Sequence, residues 1–130
     1  MRENTKGDGQ MIGEQARRAL AEVGLDVDEA VARFMDSEDM FRRFFAKFFE
    51  SAEAAVQQLK EDAQSDNFAQ AERSAHALKG LAGNMGLNAV FEPAQKIVSD
   101  IRAGKTCDVR ADAQRAITAY EQAKQAQQLL

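Results

Sequence analysis

His76-Ala77-Leu78-Lys79-Gly80-Leu81-Ala82-Gly83-Asn84-Met85-Gly86 is the stretch from which the architecture of this chain is best read. It contains the only histidine in 130 residues. On a helix, at about 100° per residue, Lys79, Gly80 and Gly83 share the face of His76. Ala71, Ala75, Leu78, Leu81, Ala82 and Met85 fall on the opposite face. The apolar stripe therefore points into a protein interior and the imidazole points into water. Gly86 ends the helix, as a C-terminal glycine does.

The glycines beside the histidine need a cause, because a glycine within a helix costs roughly 1 kcal/mol relative to alanine. Either Gly80 and Gly83 keep side chains away so that a large partner reaches the ring, or another helix of the same protein packs closely there, or the helix ends early. Lys79 favours the first reading. A cation one turn along from an exposed imidazole suits an anionic group carried on that imidazole.

Working outward, Asp66 or Asn67 caps the His76 helix, expected over 68–85. Upstream, Phe41, Phe44, Phe45, Phe48, Ala52, Val56 and Leu59 make one stripe of a long helix over 38–63. Ser37 caps it, and Glu38 and Asp39 suit its positive end. At 1.5 Å per residue it is about 40 Å long, a full arm of a bundle. Phe49 lies at the edge of that stripe and either packs beneath the N-terminal helices or joins an exposed docking patch. Val27, Val31 and Phe34 form a short helix, with Asp26 and Glu29 spaced as a capping box. Ile12, Ala16, Ala19, Leu20 and Val23 form another, stopped by Gly24.

Downstream, Val90, Ala94, Ile97, Val98 and Ile101 predict a helix over 87–103. Pro93 inside it removes a backbone donor and implies a kink or a delayed start. Gly104 and Lys105 form a turn. A last helix starts near Asp108, with Val109, Ala113, Ala116, Ile117 and Tyr120 facing inward. The expected fold is all-α: an up-down-up-down four-helix bundle with two short N-terminal helices packed at one end. Residues 1–10 read as a disordered polar lead, 11–125 as the bundle and 126–130 as a frayed tail.

The totals narrow the function. A net charge of −4, with lysines and arginines spread along the chain, argues against nucleic-acid binding. No apolar run approaches the ~18 residues of a membrane span, and the N-terminus lacks the apolar segment of a signal peptide. A cytoplasmic protein without membrane insertion is expected. Cys107 stands alone, which excludes an internal disulfide and a cysteine-rich zinc site. One well-buried bundle is satisfied as a monomer. A catalytic triad requires an orienting acid and a nucleophile; Glu72 and Arg73, near His76, read as surface charges. A metal site in a bundle requires several converging ligands, and no paired Glu-x-x-His motif is present. The five methionines read as core or terminal residues rather than haem ligands. No metal or other cofactor is expected. A lone exposed histidine beside a lysine suits a different task, because neutral imidazole is a good nucleophile toward phosphorus and needs no triad when a partner supplies an activated phosphoryl group.

His76, Leu78, Lys79, Gly80, Asn84 and Gly86 resemble the signature of histidine phosphotransfer (HPt) domains, His-x-Leu-Lys-Gly followed six residues later by glycine, here Gly86. The likeness extends over about residues 24–125. It implies a helical bundle with a phosphorylated histidine exposed partway along one helix. It also implies a role in two-component signal transduction. His76 would accept a phosphoryl group, through Nε2, from an aspartate of a response-regulator receiver domain and pass it reversibly to another receiver. The donor side would include a hybrid sensor kinase. The chain would be a phosphocarrier without kinase activity of its own, and the magnesium would belong to the receiver. By the same resemblance Lys79 screens phosphoryl charge and Gly80 leaves room for the receiver. Helical geometry suggests that Gly83 widens the same opening. Asn84 matches an often polar position, where it hydrogen-bonds locally or helps to end the helix. Arg73, within about 60° of the His76 face, touches an acidic receiver rim or is simply solvated. Two alternatives stand beside this reading. One is a helical adaptor without chemistry, which leaves the spacing of His76, Lys79 and Gly80 unexplained. The other is the phosphorylated domain of a kinase, which requires an ATP-binding domain that this chain has no room for. The polar lead fits either a free protein or a piece of a hybrid kinase.

Overall fold

The side-chain caps read from the sequence define where the helices begin. The structure is a computed structural model that describes residues 11–130; the expected polar lead, 1–10, lies outside the described residues. Six helices follow one another: α1 (Glu14–Glu22), α2 (Val27–Arg33), α3 (Glu38–Gln64), α4 (Phe68–Met85), α5 (Asn88–Arg102) and α6 (Val109–Gln127). Asp26 Oδ1 accepts from the Glu29 amide at 3.2 Å, and Ser37 Oγ accepts from the Met40 amide at 3.1 Å. Of the two candidates before α4, Asn67 is the cap, its Oδ1 accepting from the Gln70 amide. Each of these oxygens satisfies a first-turn N–H that has no partner within its helix.

The four longer helices pack in a ring, α3 against α4, α4 against α5, α5 against α6 and α6 back against α3. Short connections join them in turn, consistent with an up-down-up-down bundle. Helix α1 lies on α6, and α2 lies on α3. The turn that joins α1 to α2 is pinned to the start of α5: the Ala89 amide donates to the Val23 carbonyl at 3.1 Å. Gly24 is required there twice over. Its φ is +81°, and a Cβ would lie 2.8 Å from that of Asn88. The two short helices thus cover the end of the bundle where α4 passes into α5.

Phe41, Phe45, Phe48, Ala52, Val56 and Leu59 are buried as the periodicity requires. Phe49, at the edge of the stripe, is buried too, in edge-on contact with Phe45, Phe48 and Tyr120 of α6. It packs under α6 and contributes to no exposed patch. Phe44 is the correction: expected in the buried stripe, it is 47% exposed and stacks on Phe34 with ring centroids 5.0 Å apart. Helix α4 ends at Met85, which lines one groove with Phe44 and Phe48, so little of α4 is left to cover Phe44. Helix α5 starts at Asn88 and runs unbroken through a buried Pro93, so the start is not delayed. Helix α6 continues to Gln127, past the expected boundary at 125, because Ala126 extends the buried row of Ala116, Ala119 and Ala123.

Two polar clusters tie the long helices together. The Lys96 ammonium on α5 donates to Asp100 at 2.9 Å, Asp108 at 3.1 Å and Asp112 at 3.0 Å. Arg115 binds the other oxygen of the buried Asp112 at 2.6 Å. The three carboxylates hold the Lys96 ammonium pKa above its ordinary value through these hydrogen bonds. Across the bundle, the Tyr120 hydroxyl donates to Glu53 Oε1 at 2.8 Å and joins α6 to α3.

Candidate functional site

Helix α4 buries Ala71, Ser74, Ala75, Leu78, Ala82 and Met85, with Leu81 half-buried at the rim. A face so consistently turned inward leaves the opposite residues in solvent. His76 is exposed, and it takes part in no hydrogen bond or ion pair among the described residues. Ala77 and Gly80 beside it are exposed and small. The ring therefore stands on a low platform near the middle of α4.

The two glycines have different causes. A Cβ at Gly80 would meet nothing within 4 Å among the described residues, so their packing does not require glycine there. A Cβ at Gly83 would lie 3.2 Å from the Phe91 ring of α5, so this position admits a neighbouring helix. The close packing of another helix read from the sequence is found at Gly83, and Gly80 has no such neighbour among the described residues. Gly86 closes the helix in a left-handed conformation at φ +78°, its amide turned back to the carbonyls of Ala82 and Gly83.

Among charged neighbours, Lys79 is half-buried and forms no ion pair among the described residues. Arg73 is exposed and donates to Gln70 Oε1 at 3.1 Å. Glu72, one turn before His76, is bound at 2.6 Å by Nε of Arg102 on α5. Asn84 is exposed and its side chain makes no hydrogen bond among the described residues, so the helix end is formed by the Gly86 backbone instead. Asn84 lines a shallow groove between α3 and α4 with Phe44, Lys47, Ser51 and Leu81.

The structure therefore gathers His76, Lys79 and Gly80 on one open face, with Arg73 one turn upstream. It places Gly83 against α5 and Asn84 towards α3. Two features were not foreseen. The Glu72–Arg102 pair joins residues 30 positions apart, for which a single sequence offers no signal. The exposure of Phe44 depends on where a different helix stops.

An exposed, unencumbered histidine on a bundle helix agrees with the comparison to known families, in which residues 43–128 match the model of the Hpt domain. The chain belongs to the HPt domain family. HPt domains are phosphocarriers that relay phosphoryl groups on histidine and interact with receiver domains. The match to this HPt domain spans α4, α5, α6 and most of α3, and it begins after α1 and α2. Comparisons with curated proteins and with solved structures give no match. Among the described residues, no helix is long and apolar enough to cross a membrane.

Proposed function

We propose that this HPt domain acts as a monomeric cytoplasmic relay, carrying a phosphoryl group on His76 between the aspartates of receiver domains, one of which belongs to a hybrid sensor kinase or a response regulator. The Nε2 lone pair attacks phosphorus. The bond from phosphorus to the aspartate oxygen breaks, and its electron pair leaves with the carboxylate. The ring keeps its proton on Nδ1, and the reverse attack by a second carboxylate returns it to neutral imidazole. The receiver supplies the magnesium site and the activated group, so this chain needs only a reachable nucleophile and a suitable field.

The observation that carries this reading is the exposed His76, without a hydrogen-bond or ion-pair partner among the described residues, on the open Gly80 platform of a chain in this family. Lys79, with no carboxylate of its own among the described residues, screens the phosphoryl oxygens. Gly80 gives clearance to the receiver. Gly83 keeps that side low by seating Phe91. Arg73 meets the acidic rim of the receiver, and Asn84 contacts it from the groove shared with Phe44 and Leu81.

The test is transfer from a radiolabelled, phosphorylated receiver domain to wild type and to His76→Gln. An acid-labile, base-stable label on wild type alone is expected. A His76→Gln protein that still takes the label, or still supports its native pathway, would overturn the assignment.

A further inference from the structure

We infer that Arg102 is a positioning residue for phosphoryl transfer: by holding the Glu72 carboxylate it offsets the one negative charge of α4 that would oppose a phosphoryl group on His76. The inference rests on the phosphocarrier reading above.

Glu72 is the only acidic residue in α4. It lies four residues before His76, and side chains at that spacing are neighbours on a helix surface, about 6 Å apart at Cβ. A phosphoryl group on the ring brings up to two negative charges to this neighbourhood. An unpaired carboxylate one turn away would raise the energy of the phosphorylated state and leave the unphosphorylated one unaffected. Arg102 meets that carboxylate at 2.6 Å from the adjoining helix. The Glu72 side chain is 27% exposed and that of Arg102 59%, so water screens the pair substantially, though less on the Glu72 side.

The placement of α5 brings Arg102 beside Glu72. Gly83 faces Phe91 and Glu72 faces Arg102, so the spacing from 72 to 83 on α4 equals that from 91 to 102 on α5. The two helices run antiparallel in step, and His76 lies within the paired span. Asp100, the other carboxylate near this end of α5, is held by Lys96 towards α6. A partly exposed ion pair adds little to folding, and its value to the protein lies in the charge left beside the histidine.

The experiment measures how the label partitions at equilibrium between a phosphorylated receiver and four forms of this chain: wild type, Arg102→Gln, Glu72→Gln and the double variant. Partition between the free proteins does not depend on how tightly they dock, so it isolates the stability of the phosphorylated state. Arg102→Gln is expected to shift the partition toward the receiver by roughly three- to fivefold, more at low salt. Glu72→Gln alone is expected to equal or exceed wild type, and the double variant to recover its level. Arg102→Lys should retain most of the wild-type partition. An Arg102→Gln partition equal to wild type overturns the inference, and so does a double variant that stays impaired, which would mean that Arg102 acts on the phosphoryl group directly. Helicity and denaturation midpoint of each variant separate these outcomes from misfolding. Failure of the phosphocarrier reading itself has a different signature, a wild type that takes no label from a receiver shown to be its partner.

Discussion

Lys79 and Lys96 are two lysines of one bundle with opposite surroundings. Lys96 lies between α5 and α6 with three carboxylates within 3.1 Å. Lys79 stands beside His76 and pairs with no carboxylate among the described residues. The first is a fold-holding charge: its partners come from two helices and the turn between them, and one of them, Asp112, is buried and would be costly to leave unpaired. The second is a charge the fold does not consume. An ion pair already made inside the protein has nothing left for a partner, whereas an unpaired ammonium beside a nucleophile can meet an arriving anion. The contrast separates a lysine that ties helices together from one that no carboxylate of the described residues engages.

The largest expected effect breaks the comparison on the functional side. His76→Gln should abolish acceptance of label while leaving the unfolding free energy within about 0.5 kcal/mol of wild type, as for an exposed side chain without partners among the described residues. Lys79→Ala should slow transfer roughly tenfold, the order expected when one favourable charge is removed from a partly desolvated transition state, and should barely change stability. Lys96→Met should do the reverse. It should unfold at a lower denaturant concentration, with transfer kinetics preserved under folding conditions. Equal effects of the two lysines on both measurements would erase the distinction.

The glycine pair sharpens the comparison at a smaller scale. Gly80→Ala should raise helix stability by about 1 kcal/mol, because its Cβ enters open space. A bulky residue at the same position, Gly80→Leu, should slow transfer through obstruction of the docking face. Gly83→Ala should gain less, or lose, because the Phe91 ring must shift to admit it. Thermal denaturation of the two alanine variants decides between these outcomes.

The smallest effect on phosphotransfer lies away from the site. Tyr120→Phe removes the hydroxyl that binds Glu53 and should cost about 1 kcal/mol. The Tyr120 hydrogen bond lowers the Glu53 pKa below its ordinary 4.5, so that contribution is present above pH 4.5 and lost as pH falls through the depressed folded value. Burial, with the bond to Glu53, raises the Tyr120 pKa above 10.0. Its contribution is complete below pH 10.0 and is lost as pH rises toward the higher folded value. The variant should therefore show a shallower acid limb and a shallower alkaline limb in a plot of stability against pH, with phosphotransfer unchanged.

Local rules accounted for most of the bundle. Ser37, Asp26 and Asn67 act as caps because a short polar side chain reaches only the amides of its own first turn. The exposure of His76 follows from the period of α4, since inward-facing alanines and leucines at three- and four-residue spacing leave the opposite face in water. Angular position within a stripe was a poorer guide. Phe49 lies about 80° from the stripe centre yet is buried, while Phe44 lies nearer and is exposed. Tyr120 of α6 covers the first, and α4 ends at Met85 beside the second. Pro93 was ambiguous for the same reason: its ring fixes its own φ and removes one donor, and the packing of α5 between α4 and α6 decides whether the helix tolerates it.

What the sequence determined by itself was periodic or local: six helices, their caps, the inward stripe of α4, and the His76, Lys79 and Gly80 set at its outer face. These depend on residues within a turn or two of one another, where backbone geometry fixes the distances. What only the tertiary structure decided were relations between helices. It separated the open Gly80 from the Phe91-packed Gly83, paired Glu72 with Arg102, occupied Lys96 while leaving Lys79 without an ion pair among the described residues, and set which edge of the α3 stripe reached water. Each of these depends on the register and the ends of a neighbouring helix, and those are set by the packing of the whole bundle.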